Sequence, residues 1–234
     1  DGEKMSQGQL IGLLNSEMRK GDTLVAAAGT IPSDLTKLFD VAGGKNIHIE
    51  FGNSCMGYDI PAAIGVRLTG TSKEVYVLMG DGNYQMHPME LVTAIQERTK
   101  VTIVLSLNYG FQSIHGHQKA LVGHSLGNEF KIRDKASGLI DNGKFIEIDY
   151  VKNAESVGVS SWLASTELEF REALEKARKE SGSCMIVVPT EKYRSPPGSG
   201  VWWDVVGSEV TNDPATSDLV KQREAGRNKQ RFYY

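Results

Sequence analysis

The stretch from Glu74 to Asn108 constrains this 234-residue chain more than any other. Residues 74–79 form a short, unbroken apolar run with two valines and a tyrosine, which predicts a strand, and Gly80-Asp81-Gly82 ends it in a turn. Pro88 then stands where a first helical turn begins, with Glu90 in that turn and Arg98 near the end, a charge order that suits the helix dipole. Leu91, Val92 and Ile95 supply the apolar stripe of that helix. Val101 to Leu107 is a second apolar run, predicted to be a strand buried on both faces, and Asn108 closes it. The unit reads as strand, Gly-rich turn, helix, strand.

Successive parallel strands joined by a right-handed crossover lie side by side, about 4.8 Å apart. Asp81 and Asn108 then emerge at the carboxyl ends of neighbouring strands, where open α/β sheets bind ligands. A carboxylate, an amide oxygen and nearby backbone carbonyls make an all-oxygen set, suited to a hard cation such as Mg2+ that completes its octahedron with phosphate oxygens and water. Gly80 and Gly82 allow close approach of a phosphate to the backbone, and the helix that follows offers free N–H groups. The spacing therefore predicts a magnesium–diphosphate site.

Gly80-Asp81-Gly82 followed downstream by Asn108 resembles the thiamine-diphosphate motif of the acetolactate synthase and pyruvate decarboxylase superfamily. The resemblance implies that Asp81, Asn108 and the backbone carbonyl of Gly110 hold Mg2+, and that Gly80, Gly82, Asn83 and Phe111 border the cofactor. Tyr109 departs from that pattern, which often carries a second Asn. Asn53-Ser-Cys-Met-Gly-Tyr-Asp-Ile-Pro-Ala-Ala-Ile-Gly65 is similar to the family segment that bends the cofactor into a V. By that likeness Met56 is the wedge beneath the thiazolium ring and the Ser54 carbonyl accepts from the 4′-amino group; without it, Met56 reads as a core methionine at a helix entrance. The same likeness makes Gly29 and Thr30, in the first strand–helix loop, contacts of the diphosphate, where the residues alone read equally as an ordinary turn. A narrower resemblance, in Glu50-Phe-Gly-Asn-Ser-Cys-Met-Gly-Tyr58, Gly82-Asn-Tyr-Gln-Met86 and Val201-Trp-Trp-Asp-Val205, is to the carboxyl-terminal part of the trihydroxycyclohexane-dione hydrolases of inositol catabolism.

That likeness implies hydrolytic cleavage of a ring C–C bond in a cyclic 1,2-dione, with Phe111, Gln112 and Ile114 facing the substrate. The family's activating Glu sits on a separate amino-terminal, pyrimidine-binding domain that nothing here matches. The chain is then the diphosphate-binding part of a larger enzyme and works in a homodimer or homotetramer. Two superfamily alternatives are an acetolactate synthase-like carboligase and a 2-oxo acid decarboxylase. Outside the superfamily stand a serine hydrolase using Ser125 and a non-catalytic binding module.

Ser125 lies in Gly123-His-Ser-Leu-Gly127, which has the form of a nucleophile elbow, but no convincing strand precedes it. His115, His117 and His124 cluster like metal ligands without a Cys or carboxylate pattern for zinc, and read as solvated or substrate-facing loop residues. A net charge of −3 gives no reason to propose nucleic acid or membrane partners, no apolar run reaches spanning length, and Cys55 and Cys184 imply no disulfide framework. A reducing cytoplasm is the expected setting.

In order along the chain, Ser6 with Gln9 predicts a capping box opening a helix to about Arg19. Strands are expected at 23–28, 46–51, 74–79, 101–107, 145–149 and 184–188, and helices to about Phe39, over 58–68 and over 166–179. Residues 111–134 read as loop with at most a short helix. The alternation predicts a three-layer α/β/α, doubly wound parallel sheet over residues 1–192. From Tyr193 a linker-like stretch, Val201-Trp202-Trp203 and a basic end predict an arm, residues 193–234, that packs on another domain or subunit.

Overall fold

The computed structural model describes residues 4–193 and 208–231. The linker at 195–200 and the Trp202-Trp203 pair lie outside the described residues. Six parallel strands make one sheet in the order β2-β1-β3-β4-β6-β5: β1 (Thr23–Ala26), β2 (Asn46–Ile49), β3 (Val75–Gly80), β4 (Thr102–Leu107), β5 (Ser160–Leu163) and β6 (Cys184–Pro189). Every residue of β1 and β4 is buried, which explains why these segments read as continuous apolar runs rather than alternating ones.

Helices cover both faces, and each face has its own core. One core packs α1 (Gln7–Glu17), α2 (Thr30–Leu38) and α8 (Glu167–Lys179) on the sheet through Leu10, Leu14, Leu35, Phe170 and Leu174. The other packs α3 (Asp59–Leu68), α5 (Glu90–Gln96) and α7 (Tyr150–Glu155) through Ile60, Ile64, Leu91, Tyr150 and Ala154. Each fully buried Leu, Ile or Phe contributes roughly 1.5–3 kcal/mol. Local signals agree with this packing. Ser6–Gln9 and Thr166–Glu169 form reciprocal capping boxes on α1 and α8, and Lys176, Arg178 and Lys179 complement the dipole at the end of α8.

Four expectations need correction. Gly80-Asp81-Gly82 is not a turn: β3 runs through Gly80, and α4 (Asp81–Met86) starts at once, so α5 begins at Glu90 rather than at Pro88. Residues 111–134 are not mostly loop, because α6 (Gln112–Val122) occupies nearly half of them; Gly116 and the polar Gln112, Ser113, His115, His117, Gln118 and Lys119 leave it little apolar face. Residues 145–149 form no strand, since Phe145 makes one isolated antiparallel bridge to Lys131 and Ile146 faces solvent. The sixth strand is Ser160–Leu163, an edge strand whose polar start hides it in sequence. The basic end of the arm carries α9 (Pro214–Arg227), which has no buried residue and lies against α6.

The strand order reverses between β1 and β3, and the connections leave toward opposite sides there. Clefts form outside the carboxyl ends of strands at such switch points.

Candidate functional site

β3 and β4 pair in register, Gly80 opposite Ser106, so Asp81 and Asn108 leave adjacent strands at the same end. Asp81 is completely buried, with Oδ1 accepting the Gly82 N–H at 3.0 Å and Oδ2 meeting no partner. Burial pushes its carboxyl up to about 7, against the pull of the Tyr109, Gly110 and Gly82 N–H groups. The Asn108 amide oxygen lies 3.0 Å from Asp81 Oδ1 and 3.0 Å from the Gly110 carbonyl oxygen, facing acceptors only. Two arrangements satisfy these atoms: an amide turned over to donate to both, or a cation seated among three oxygens.

Backbone geometry builds that cluster. Tyr109 has φ 62, a left-handed conformation that turns the chain between Asn108 and Gly110. Asn adopts this conformation more readily than Tyr, so Tyr109 carries strain at this position. The loop is pinned from outside by Phe111 N–H to Asn128 O at 2.8 Å and Phe130 N–H to Tyr109 O at 2.9 Å. Gly110 is required there, because a Cβ would stand 2.5 Å from the Asn128 carbonyl oxygen.

A cavity of about 200 Å³ opens above this cluster. Gly29 and Thr30 line it from the β1–α2 junction, and Ser54 and Met56 from the loop before α3. Gly80, Gly82 and Asn83 border it from α4, and Asn108, Gly110, Phe111, Gln112 and Ile114 from the start of α6. The structure thus brings every expected contact residue to one cavity, with Asp81 buried beneath it. Ser54 has φ 51 and is exposed, and Met56 is half-buried. The Glu50 carboxylate fixes that loop by accepting the Asn53 and Cys55 N–H groups at 2.9 and 2.8 Å. Gly57 allows the loop to close on His87, whose ring would lie 2.2 Å from a Cβ.

A second cavity of about 790 Å³ adjoins the first and shares Gln7, Thr30, Asn108 and Gln112 with it. His115 lines it, not as a solvated loop residue but buried on α6, stacked on Tyr193 with Nδ1 unpartnered. His117 is exposed, and His124 is exposed with its Nδ1 3.0 Å from Val122 O. Among the described residues no three His, Cys, Asp or Glu side chains come together as metal ligands. Ser125 follows a helix that ends at the left-handed Gly123, the reverse of a strand-to-helix elbow, and its Oγ accepts from Asn128 Nδ2 at 3.1 Å.

Three contributors escape sequence reasoning. Gln7, at the start of α1, donates to Thr30 Oγ1 at 3.0 Å and lines both cavities. Tyr84 donates to Asn153 Oδ1 at 2.7 Å and anchors α4 on α7. Asp59 is buried at the start of α3, a carboxylate beside the core positions Ile60 and Ala63; an acid so close to a helix's apolar face is the signal that could have found it.

Comparison with known proteins agrees with this geometry. The family model described as "Thiamine pyrophosphate enzyme, C-terminal TPP binding domain" matches residues 27–188. Similar curated relatives include 3D-(3,5/4)-trihydroxycyclohexane-1,2-dione hydrolase 2 of Bacillus cereus, 33% identical over 99% of this chain and 36% of the relative. The 3D-(3,5/4)-trihydroxycyclohexane-1,2-dione hydrolase of Clostridium tetani is 34% identical over 94% of this chain and 34% of its own length. The chain therefore spans about a third of the curated relatives it matches. Among solved structures, a thiamine diphosphate-dependent 4-hydroxybenzoylformate decarboxylase of Rhodococcus jostii RHA1 superposes with a TM-score of 0.68 at 22% identity, over 82% of this chain and 33% of that one. The benzoylformate decarboxylase of Polynucleobacter necessarius gives the same score and identity over 82% of this chain and 34% of its own.

Proposed function

Because the chain belongs to the family of C-terminal thiamine-pyrophosphate-binding domains of thiamine pyrophosphate enzymes, we propose that it is the diphosphate-binding domain of an Mg2+-dependent hydrolase that opens a cyclic 1,2-dione by C–C cleavage. One observation carries the cofactor reading: beneath the cavity the buried Asp81 carboxylate keeps one oxygen without a partner, beside the Asn108 side-chain amide and the Gly110 carbonyl. A seated Mg2+ satisfies all three and neutralises the buried Asp81 carboxylate, which a turned-over amide would not.

Thiamine diphosphate, when bound, supplies a carbanion that adds to a carbonyl and an electron sink for the bond that breaks. The chain's own residues hold it. Asp81, Asn108 and the Gly110 carbonyl would hold the cation, and Gly29, Thr30, Gly80, Gly82 and Asn83, which line the cavity, would hold the diphosphate. Met56 would support the bent form, and the Ser54 carbonyl would accept from the 4′-amino group; both residues line the cavity. Phe111, Gln112 and Ile114 face the substrate from the start of α6.

A cavity of about 200 Å³ is smaller than the roughly 300–1,000 Å³ that encloses a drug-sized ligand, which supports a second domain closing over the pyrimidine end. That domain carries the activating carboxylate, in a homo-oligomer. The described part of the arm, residues 208–231, would face that neighbour, and the enzyme would work in the cytoplasm of an inositol-degrading cell.

The likeness to trihydroxycyclohexane-1,2-dione hydrolases supports the dione reading; the fold's likeness to benzoylformate decarboxylases makes a 2-oxo acid decarboxylase the second reading. Assaying the complete enzyme with thiamine diphosphate and Mg2+ separates the two. Ring opening of trihydroxycyclohexane-1,2-dione without CO2 release from pyruvate or benzoylformate supports the hydrolase, and the converse replaces it. Residues 1–234 alone should fold without turnover, and dione cleavage by this piece at enzymatic rates would overturn the split-site reading.

A further inference from the structure

Asp59 is shut off from solvent, yet it connects three segments that border the cavity. It is fully buried at the first position of α3, three residues after Met56 on the loop that carries the wedge. Its Oδ1 accepts the Ala27 N–H at 2.8 Å, at the end of β1 and just before Gly29 and Thr30. Its Oδ2 accepts from Asn83 Nδ2 at 3.3 Å, on α4 two residues after Asp81. Asn83 Nδ2 also reaches the Ala28 carbonyl at 3.1 Å, closing a small triangle of α3, the β1–α2 junction and α4. Ala28 and Asn83 both line the cavity.

A buried carboxylate is a costly way to fill space beside Ile60 and Ala63. Its desolvation is only partly offset by the two hydrogen bonds, since burial raises its carboxyl to about 7 despite them. An apolar side chain would pack there at lower cost but could not hold two donors on different elements at once. We infer that Asp59 is a positioning residue that sets the wedge loop, the diphosphate loop and the metal-bearing helix in one register. It acts on the cofactor through Asn83 and the β1–α2 backbone and never meets the cofactor itself.

This inference rests on the cofactor reading above, but its structural half can be tested apart from it. Asp59→Asn keeps size and shape, yet whichever way its amide turns, one N–H donor at Ala27 or Asn83 now faces another donor. In the complete enzyme, thiamine diphosphate titrated at saturating Mg2+ should bind about tenfold more weakly to Asp59→Asn, the loss of roughly one buried hydrogen bond. A melting curve without cofactor reports the accompanying change in packing and desolvation separately. In an Asn83→Ala background, Asp59→Asn should produce no further loss, since the link it breaks is already gone.

Amide exchange supplies a readout that needs no cofactor: Asp59→Ala should speed exchange at Ala27, and exchange at the wild-type rate overturns the inference. A wild-type protein that binds no thiamine diphosphate sinks the cofactor reading instead, while the exchange result still decides the structural link. Asp59→Asn with wild-type cofactor affinity, or with its full effect retained beside Asn83→Ala, overturns the positioning role. Should Asp59→Asn fail to fold, Asn83→Ser breaks the same bond from the other side, and an unchanged affinity there gives the same refutation.

Discussion

Gly110→Ala places a methyl group where only backbone can yield. An ideal Cβ at Gly110 stands 2.5 Å from Asn128 O and 2.9 Å from Glu129 Cα, and real Cβ atoms essentially never approach within 3.0 Å. The two strands of this small bridge must therefore separate by roughly half an ångström. They are held by Phe111 N–H to Asn128 O at 2.8 Å and Phe130 N–H to Tyr109 O at 2.9 Å, so the motion strains hydrogen bonds as well as packing. Overpacking of this kind costs about 1–3 kcal/mol. At Gly82 the obstruction is the Phe111 ring at 2.7 Å, a side chain that can turn, so Gly82→Ala should disturb the loop less.

The same displacement reaches the proposed cation. Mg2+ demands near-octahedral oxygens at about 2.0–2.1 Å, whereas Ca2+ accepts about 2.3–2.6 Å and irregular geometry. Moving the Gly110 carbonyl by roughly half an ångström takes it out of the Mg2+ shell but not far from the range of Ca2+. Gly110→Ala in the complete enzyme should thus weaken Mg2+ about tenfold or more and Ca2+ less, shifting preference toward the larger ion. Calorimetric titration of each ion at saturating thiamine diphosphate measures the two constants, and a thermal melt without ligand reports the packing cost. A variant with a lowered melting temperature and wild-type Mg2+ affinity would show that the Gly110 carbonyl is no ligand, and the reasoning would fail.

Asp81→Ala should abolish Mg2+-dependent cofactor binding and Asn108→Ala should weaken it less, because a charged ligand is lost in one and a neutral one, replaceable by water, in the other; unchanged affinity of Asp81→Ala in a fluorescence titration would remove the metal assignment. Met56→Ala should slow turnover with nearly normal cofactor affinity, at a stability cost toward the low end of about 2–5 kcal/mol since Met56 is only half-buried. Weak binding with normal saturated turnover would count against the wedge. Tyr109→Gly should be more stable than Tyr109→Ala by about 1 kcal/mol in urea unfolding, because both lose the ring but only Gly relaxes φ 62; the reverse order would deny the strain. Asp59 has its folded carboxyl raised from 3.8 to about 7 by burial, so the native state holds a proton that the unfolded chain has lost over that window. Stability then falls as pH rises from about 4 to 7, by at most about 4 kcal/mol from this group. The pH slope of unfolding should be shallower in Asp59→Asn, and an identical slope would mean that Asp59 titrates normally.

The central strands and the ligand-bearing strand ends were legible because a strand buried on both faces leaves a run of apolar residues that nothing else imitates. Val75 to Met79 and Val101 to Leu107 are of this kind, and the residues closing them, Asp81 and Asn108, stand out as polar. α6 was not legible, since its buried contacts are Gln112 and His115 rather than a Leu stripe, and burial there serves the cavities rather than a core. β5 escaped for the opposite reason: an edge strand of four residues starting Ser160-Ser161 needs little apolar surface. Residues 145–149 alternate as a strand would, but alternation shows only that one side is covered. Here Lys131 and Lys192 lie over the Phe145 ring, and the segment pairs with no sheet strand. The role of Asp59 is not legible in the sequence, because its partners Ala27 and Asn83 lie 32 and 24 residues away and no local spacing encodes them.

The distribution of unsatisfied groups says where this fold departs from stability alone. Buried polar atoms without partners are rare in native proteins, and each costs about 1–3 kcal/mol. Four occur among the described residues, on Asp81, Gln112, His115 and Ser161, and three of these residues lie at or beneath the two adjoining cavities. Both non-Gly residues that bend the cavity's rim through positive φ, Ser54 and Tyr109, sit there too. Strain and orphaned polarity gathered at the carboxyl ends of β1, β3 and β4 fit the proposed binding of a charged ligand there, since groups already turned toward a ligand need no reorganisation when it binds. The two apolar cores on either face of the sheet supply the stability that lets the site keep them.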